Sequence, residues 1–180
     1  MAILVQIIIT HIPKKCLEPY INEIVDILQV LVVDPSGEVI LEGCEAIFQF
    51  CGQVGELAHN FSKILGNSLF SSITHKVAKV RISGLKALDS VLKIGAYKYN
   101  PFIFEGLIGF RDPNLVPIKD FYEPSTKLNY LAILSKDPNP NVRLTFYGYL
   151  GSWLTKLTDK YNDDIEKIMN QDFCLTLYLD

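Results

Sequence analysis

Three stretches decide how this chain reads: Asp34-Pro35-Ser36-Gly37-Glu38-Val39, His75-Lys76-Val77-Ala78-Lys79-Val80 and Asp137-Pro138-Asn139-Pro140-Asn141-Val142. In each, a polar residue closes one apolar-periodic run, and a valine five positions later opens the next; in the last two an arginine follows, as Arg81 and Arg143. Val39 and Val80 stand 41 positions apart, and Val80 and Val142 stand 62 apart, which is the same period lengthened by an insertion. Self-similarity at a period of about 40 residues marks a solenoid of stacked helical pairs. Each pair exposes apolar surface on both sides and has to stack on a neighbour to bury it.

The flanks of these corners carry the helical signal. Leu17, Ile21, Ile24, Val25, Leu28, Leu31 and Val32 keep the three-and-four spacing of an amphipathic helix. Proline and glycine at Pro35 and Gly37 then stop it. A second helix is expected over residues 38–54. A third is expected over 56–73, with Gly66 and Asn67 able to divide it, and a fourth over 77–94. Residues 96–123 break the pattern, because Pro101, Pro113 and Pro117 cannot sit inside one regular helix. This insertion is aromatic, with Tyr97, Tyr99, Phe102, Phe104 and Phe110, and two readings are equally open: a partner surface or core filler. Periodicity returns over 126–134, 141–157 and 162–170. The repeats therefore read as 17–54, 56–95, 124–157 and a partial 158–180. The fold class is all-α, a right-handed α-α superhelix of about three and a half helical pairs with a concave face for partners.

The totals narrow the function. With 180 residues, 49% of them hydrophobic, the chain can bury a sizeable core. Seventeen basic against twenty acidic residues leave a formal charge of −3 and no basic block, which argues against nucleic-acid binding by phosphate neutralisation. Cys16, Cys44, Cys51 and Cys174 form no Cys-x-x-Cys pair, and His11, His59 and His75 lie far apart, so zinc-site spacing is absent. Cys44, Phe48 and Cys51 share one helical face and read as core in a reducing compartment. The sequon at Asn60 would matter only in a secreted protein, and no secretory signature is present. Residues 1–12 are too short for a membrane span, which needs about 20 apolar residues. They read as a helix buried on both sides. No phosphate-binding loop, dinucleotide glycine pattern or nucleophile elbow occurs, so the expectation is a non-enzymatic protein without cofactor or small-molecule substrate.

With a Val-Arg pair opening the second helix after an Asp-Pro corner, the chain resembles HEAT repeats over most of residues 17–180. Two stretches are similar to one narrower family, the HEAT-repeat axonemal dynein assembly factors. One is Ser68-Leu69-Phe70-Ser71-Ser72-Ile73-Thr74-His75-Lys76 continuing through Lys79-Val80-Arg81-Ile82. The other runs from Asp137 through Val142-Arg143 to Gly151-Ser152-Trp153-Leu154, with Leu157, Asp159 and Tyr161 in step. The resemblance implies a cytoplasmic scaffold that preassembles dynein arms for motile cilia, with axonemal dynein chains and assembly chaperones as partners. A generic HEAT adaptor of the nuclear-transport or phosphatase-scaffold type is the alternative.

Within that frame Val80, Arg81, Asp137, Val142, Arg143 and Trp153 are the repeat-motif residues. Asp137 and Arg143 suit the polar ladder that HEAT-like arrays run between adjacent repeats, ahead of a partner-binding role for Arg143. His75 occupies the place of Asp137 and reads as a ladder substitute, not a catalytic base. Trp153 lies at helical spacing from Phe146, Leu150, Leu154 and Leu157, so inter-repeat packing is favoured over a binding hot spot. Asp163, Asp164 and Glu166 read as dipole-complementing acids at a helix start. The apolar runs at both ends lead to the expectation of a segment of a longer array, or of apolar ends covered by association.

Overall fold

The structure, a computed structural model, describes residues 2–96 and 130–156. Its elements are α1 (Ala2–His11), the single turn α2 (Lys14–Leu17), a 3-10 turn (Glu18–Tyr20), α3 (Ile21–Val32) and α4 (Gly37–Val54). A longer 3-10 stretch (Gly55–Phe61), α5 (Ser62–Ile73), α6 (Ala78–Val91), a π-type turn (Leu92–Ala96), α7 (Tyr130–Ser135) and α8 (Pro140–Lys156) follow. Among the described residues there is no strand.

Each corner stops and restarts the backbone by the same local device. The Ser36 amide donates to Asp34 Oδ1 at 2.8 Å, the Val77 amide to His75 Nδ1 at 3.1 Å, and the Asn139 amide to Asp137 Oδ1 at 2.8 Å. A side-chain acceptor two residues back thus satisfies the amide of the residue that directly precedes the next helix. At the third corner Asn139 Oδ1 also accepts from the amides of Asn141 and Val142, capping α8.

The chain therefore folds as antiparallel pairs, α3 with α4, α5 with α6 and α7 with α8. First helices α3, α5 and α7 form one layer, with α3 against α5 and the Phe70 ring of α5 stacked on Tyr130 of α7 at 4.7 Å between centroids. Second helices α4, α6 and α8 form the other, and α1 joins that layer on the far side of α4. This is an all-α helical repeat superhelix. One core runs through both layers, including Leu28, Ile47, Phe50, Leu69, Leu88 and Phe146, all wholly buried. Each such side chain contributes about 1.5–3 kcal/mol.

Two glycines one period apart set how closely a pair can close. A Cβ on Gly43 of α4 would stand 2.9 Å from Leu31 Cβ and 3.0 Å from the Leu31 carbonyl carbon. A Cβ on Gly84 of α6 would stand 3.0 Å from Ser72 Cβ and 3.2 Å from the Ile73 amide nitrogen. Both pairs therefore bring backbone against backbone where only hydrogen fits. Gly55 ends α4 with φ 61° and ψ −139°, a conformation open to glycine alone, and so redirects the chain into the 3-10 stretch.

Several sequence expectations shift. The helix expected from residue 56 is a 3-10 coil until Phe61, and Gly66 does not divide α5. A helical glycine costs about 1 kcal/mol, which the burial of Leu65, Leu69 and Ile73 outweighs. The helix expected from Leu17 becomes regular only at Ile21, after a 3-10 turn holding Pro19. Helix α1 is covered on one side only: Val5 and Ile9 are buried, whereas Ile3, Leu4 and Ile7 are exposed. Among the described residues no first-layer helix lies over it. The helix expected over 162–170 and the aromatic residues of the insertion lie outside the described residues.

Candidate functional site

Three polar structures tie successive pairs together. The first is built on Arg81, one residue into α6 beyond Val80. Its Nη1 donates to the carbonyls of His75 at 2.7 Å and Lys76 at 3.1 Å, in its own corner. Its Nη2 donates to Asp137 Oδ1 at 2.8 Å, in the next corner. Nε lies 2.7 Å from Asp137 Oδ2, but its N–H is not aimed at it, so that contact is an ion pair without a hydrogen bond. Both side chains are largely withdrawn from water, at 11% and 4% exposure.

The carboxylate of Asp137 thus meets Arg81 of the preceding pair, and Arg143 takes the Asp137 carbonyl instead, with Nη1 at 2.7 Å. Arg143 repeats within its corner what Arg81 does within the one before. Between the first two pairs this rung is missing on both sides. Ile40 stands where Arg81 and Arg143 do and is 5% exposed. His75 stands where Asp137 does, and its Cε1 lies 3.6 Å from where a Gly37 Cβ would be. His75 Nδ1 accepts the Val77 amide, which places the ring proton of the neutral form on Nε2.

The second structure is centred on Asp89, 3% exposed. Its Oδ1 accepts the indole N–H of Trp153 at 3.1 Å, across 64 residues, and its Oδ2 meets Lys93 Nζ at 2.6 Å. Trp153 is fully buried, edge-on to Phe146 and parallel to Tyr149 with centroids 6.1 Å apart. Val80 and Val142 are fully buried as well. Sequence reasoning missed Asp89, although a signal existed: an acid among Leu85, Leu88 and Leu92 at core spacing requires a buried partner.

The third structure lies along the second layer. Lys86 Nζ of α6 meets Glu45 Oε2 of α4 at 2.9 Å and sits 3.8 Å over the Phe48 ring, and Gln49 donates to Glu45 Oε1 at 2.9 Å. Burial acts to raise the Glu45 carboxyl, but hydrogen bonds from Lys86 and Gln49 and the Lys86 charge outweigh it and hold it below the usual range. Gln6 of α1 likewise donates to Glu42 Oε2 at 2.7 Å and to its carbonyl at 2.8 Å. Glu45 and Lys86 are 41 positions apart, the repeat period itself, so opposite charges at that spacing were the legible sign.

Beyond these ties, α1, α4 and the turn after α6 enclose a cleft of about 550 Å³, lined by Thr10, Gln49, Gln53, Ser90 and Lys93 among others. Lys93 is committed to Asp89, and the Gln53 amide donates to the Ile12 carbonyl at 3.2 Å. Cys51 borders the cleft with its thiol pushed up to about 12 by burial, and Cys44 is pushed up to about 11 by the same cause. Such thiols are not nucleophiles near neutrality. Both cysteines are core, as expected from their face, whereas Phe48 is half-buried at its edge under Lys86. No cluster of three or more metal-ligating side chains exists among the described residues. No described helix is long and apolar enough to cross a membrane. Tyr97, Tyr99, Phe102, Phe104 and Phe110, read from the sequence as either a partner surface or core filler, lie outside the described residues.

Comparison with known proteins gives one family. The family described as dynein axonemal assembly factor 5-like, TPR repeats, matches residues 1–107. Dynein axonemal assembly factor 5 of Xenopus laevis is 25% identical over 155 residues, covering 86% of this chain and 16% of that protein. Dynein axonemal assembly factor 5 of Mus musculus is 25% identical over 146 residues, covering 81% of this chain and 14% of that protein. The chain thus spans about a sixth of the length of these relatives. No solved structure matches. The 41-residue spacing of Gly43 and Gly84 is longer than the ~34 residues of a TPR unit and lies within the ~40–47 of HEAT and armadillo units.

Proposed function

The chain belongs to the dynein axonemal assembly factor 5-like family, and from that premise we propose that it is part of a cytoplasmic scaffold which binds axonemal dynein chains and their chaperones during preassembly of the dynein arms of motile cilia. The observation that carries this reading is the family match over residues 1–107, supported by two relatives that are named as dynein assembly factors. The fold is compatible with it on physical grounds. A stack of helical pairs joined by inter-pair ties presents an extended surface of the kind that repeat proteins use for binding. The cleft contributes no activated thiol, because burial keeps Cys51 protonated. This supports a binding role over a catalytic one.

Within the scaffold, Arg81, Asp137, Val80, Val142 and Trp153 would hold the repeats in register, and Arg143 would serve its own corner. The aromatic insertion, with Tyr97, Tyr99, Phe102, Phe104 and Phe110, remains the candidate partner surface. The test is affinity capture of the tagged full-length protein from the cytosol of cells building motile cilia, with partners identified by mass spectrometry. Axonemal dynein chains and chaperones are expected among them. Their absence, with transport receptors or phosphatase subunits in their place, would return the protein to a general helical-repeat adaptor.

A further inference from the structure

Charge is unevenly divided along the stack. Residues 2–61, which hold α1 and the first pair, carry eight acids against two lysines. From residue 62 onward the described residues carry nine lysines and arginines against two acids, Asp89 and Asp137. Those two acids are 3% and 5% exposed, and each is spent on a neighbour, Asp89 on Lys93 and Trp153 and Asp137 on Arg81. The second and third pairs therefore bury their own carboxylates and leave lysines outside.

Four of these cations meet at two neighbouring corners. Lys76 and Lys79 stand at the second corner and Lys136 at the third, all three exposed and none in an ion pair with a described residue. The Arg81 rung brings the two corners together: its guanidinium donates to the Lys76 carbonyl at 3.1 Å and to Asp137, the chain neighbour of Lys136, at 2.8 Å. Arg143, half-buried in the third corner, gives its Nη1 to the Asp137 carbonyl and meets no carboxylate among the described residues. Because Arg81 cancels the one acid at this edge, the other four cations are uncompensated. The first corner is opposite in sign, with Asp34 and the exposed Glu38 and no lysine or arginine.

We propose that the edge formed by the second and third corners is a docking strip for an acidic peptide segment of a partner protein, whose carboxylates pair with Lys76, Lys79, Lys136 and Arg143. Uncompensated surface cations draw in a segment of opposite charge and set its register. Val77, which follows Lys76 and is 42% exposed, offers that segment an apolar contact. A short peptide fits this strip better than a nucleic acid does. The strip is two corners wide and ends against Asp34 and Glu38, which a long polyanion following the edge would meet. It also has no exposed aromatic ring among the described residues on which a base could stack. The inference uses only the charges of this chain and stands apart from the dynein reading.

The test measures binding of a dye-labelled peptide of alternating glutamate and serine to the full chain, by fluorescence anisotropy at low salt. The glutamate peptide is expected to bind saturably, and its counterpart with glutamine in place of glutamate is expected not to bind. Its dissociation constant should rise roughly tenfold or more in the triple variant Lys76→Gln, Lys79→Gln, Lys136→Gln, and should rise with added salt, because salt screens exposed charges. In the double variant Lys14→Gln, Lys15→Gln it should stay unchanged, since Lys14 lies beside Gly55 at the far end of α4 from the corners. All five positions are exposed, and circular dichroism checks that both variants keep the fold. Absence of saturable binding overturns the proposal, and so does equal weakening in the two variants. A single-stranded oligonucleotide of equal charge that binds more tightly and displaces the peptide overturns it as well, by making a nucleic acid the ligand.

Discussion

At Asp137 a single carboxylate closes its own corner through the Asn139 amide and holds the preceding pair through Arg81. Removing one partner strands a buried charge, so Arg81→Met and Asp137→Leu are each expected to cost about 3–5 kcal/mol of unfolding free energy. The double variant, which leaves no orphan charge, should cost less than the sum of the two. Urea denaturation of the three proteins checks this, and strict additivity would show that the pair is not coupled. Cys44 and Cys51 make a second residue-level prediction. Their folded pKa values, about 11 and about 12, lie above the ordinary 9.0 of a thiol. In the unfolded chain they ionise first, so their stabilising contribution is full below pH 9 and declines as pH rises from 9 through their folded values. At pH 8 iodoacetamide should modify the exposed Cys16 in the native protein and spare Cys44 and Cys51 until denaturant is added.

At the scale of the element, helical glycines divide by what surrounds them. Gly43→Ala drives a methyl group into the backbone and side chain of Leu31, and overpacking of this kind costs about 1–3 kcal/mol. Gly52 lies in α4 with nothing within 4 Å of a Cβ placed on it. Gly52→Ala is therefore expected to stabilise by roughly 0.5–1 kcal/mol, from reduced backbone freedom in the unfolded chain. Thermal melts followed by circular dichroism should move in opposite directions for the two variants; a shift of the same sign would refute the close-approach account of Gly43. The corners are also an element-scale result. Asp34, His75 and Asp137 play one part despite different chemistry, because the turn needs only an acceptor atom aimed two residues ahead, and His75 Nδ1 supplies it.

For the whole molecule, the tie between Trp153 and Asp89 joins the third pair to the second through the interior. Asp89→Ala leaves the indole N–H buried without an acceptor, at a cost of about 1–3 kcal/mol, and loosens that boundary before any other. Because Trp153 is the only tryptophan, its fluorescence reports on this boundary alone. In the native protein fluorescence and far-ultraviolet circular dichroism should give one urea midpoint, and in the Asp89→Ala protein fluorescence should change first. Coincident midpoints in both would mean that the boundary is held by something other than this bond. Much of this architecture was legible in the residues themselves. The 41-residue recurrence of the corners, the apolar spacing of α3, α4 and α6 and the stop signals at Pro35 and Gly37 determine an all-helical stack of pairs, because these are properties of contiguous segments. That Arg81 meets Asp137 and Asp89 meets Trp153, which face of α1 is covered and why Gly43 and Gly84 must be glycine were decided only by the tertiary structure. Arg81 and Asp137 are 56 residues apart, and Asp89 and Trp153 are 64 apart. Distances of that kind are set by how two layers stack, and local periodicity carries no information about the neighbour a helix will have.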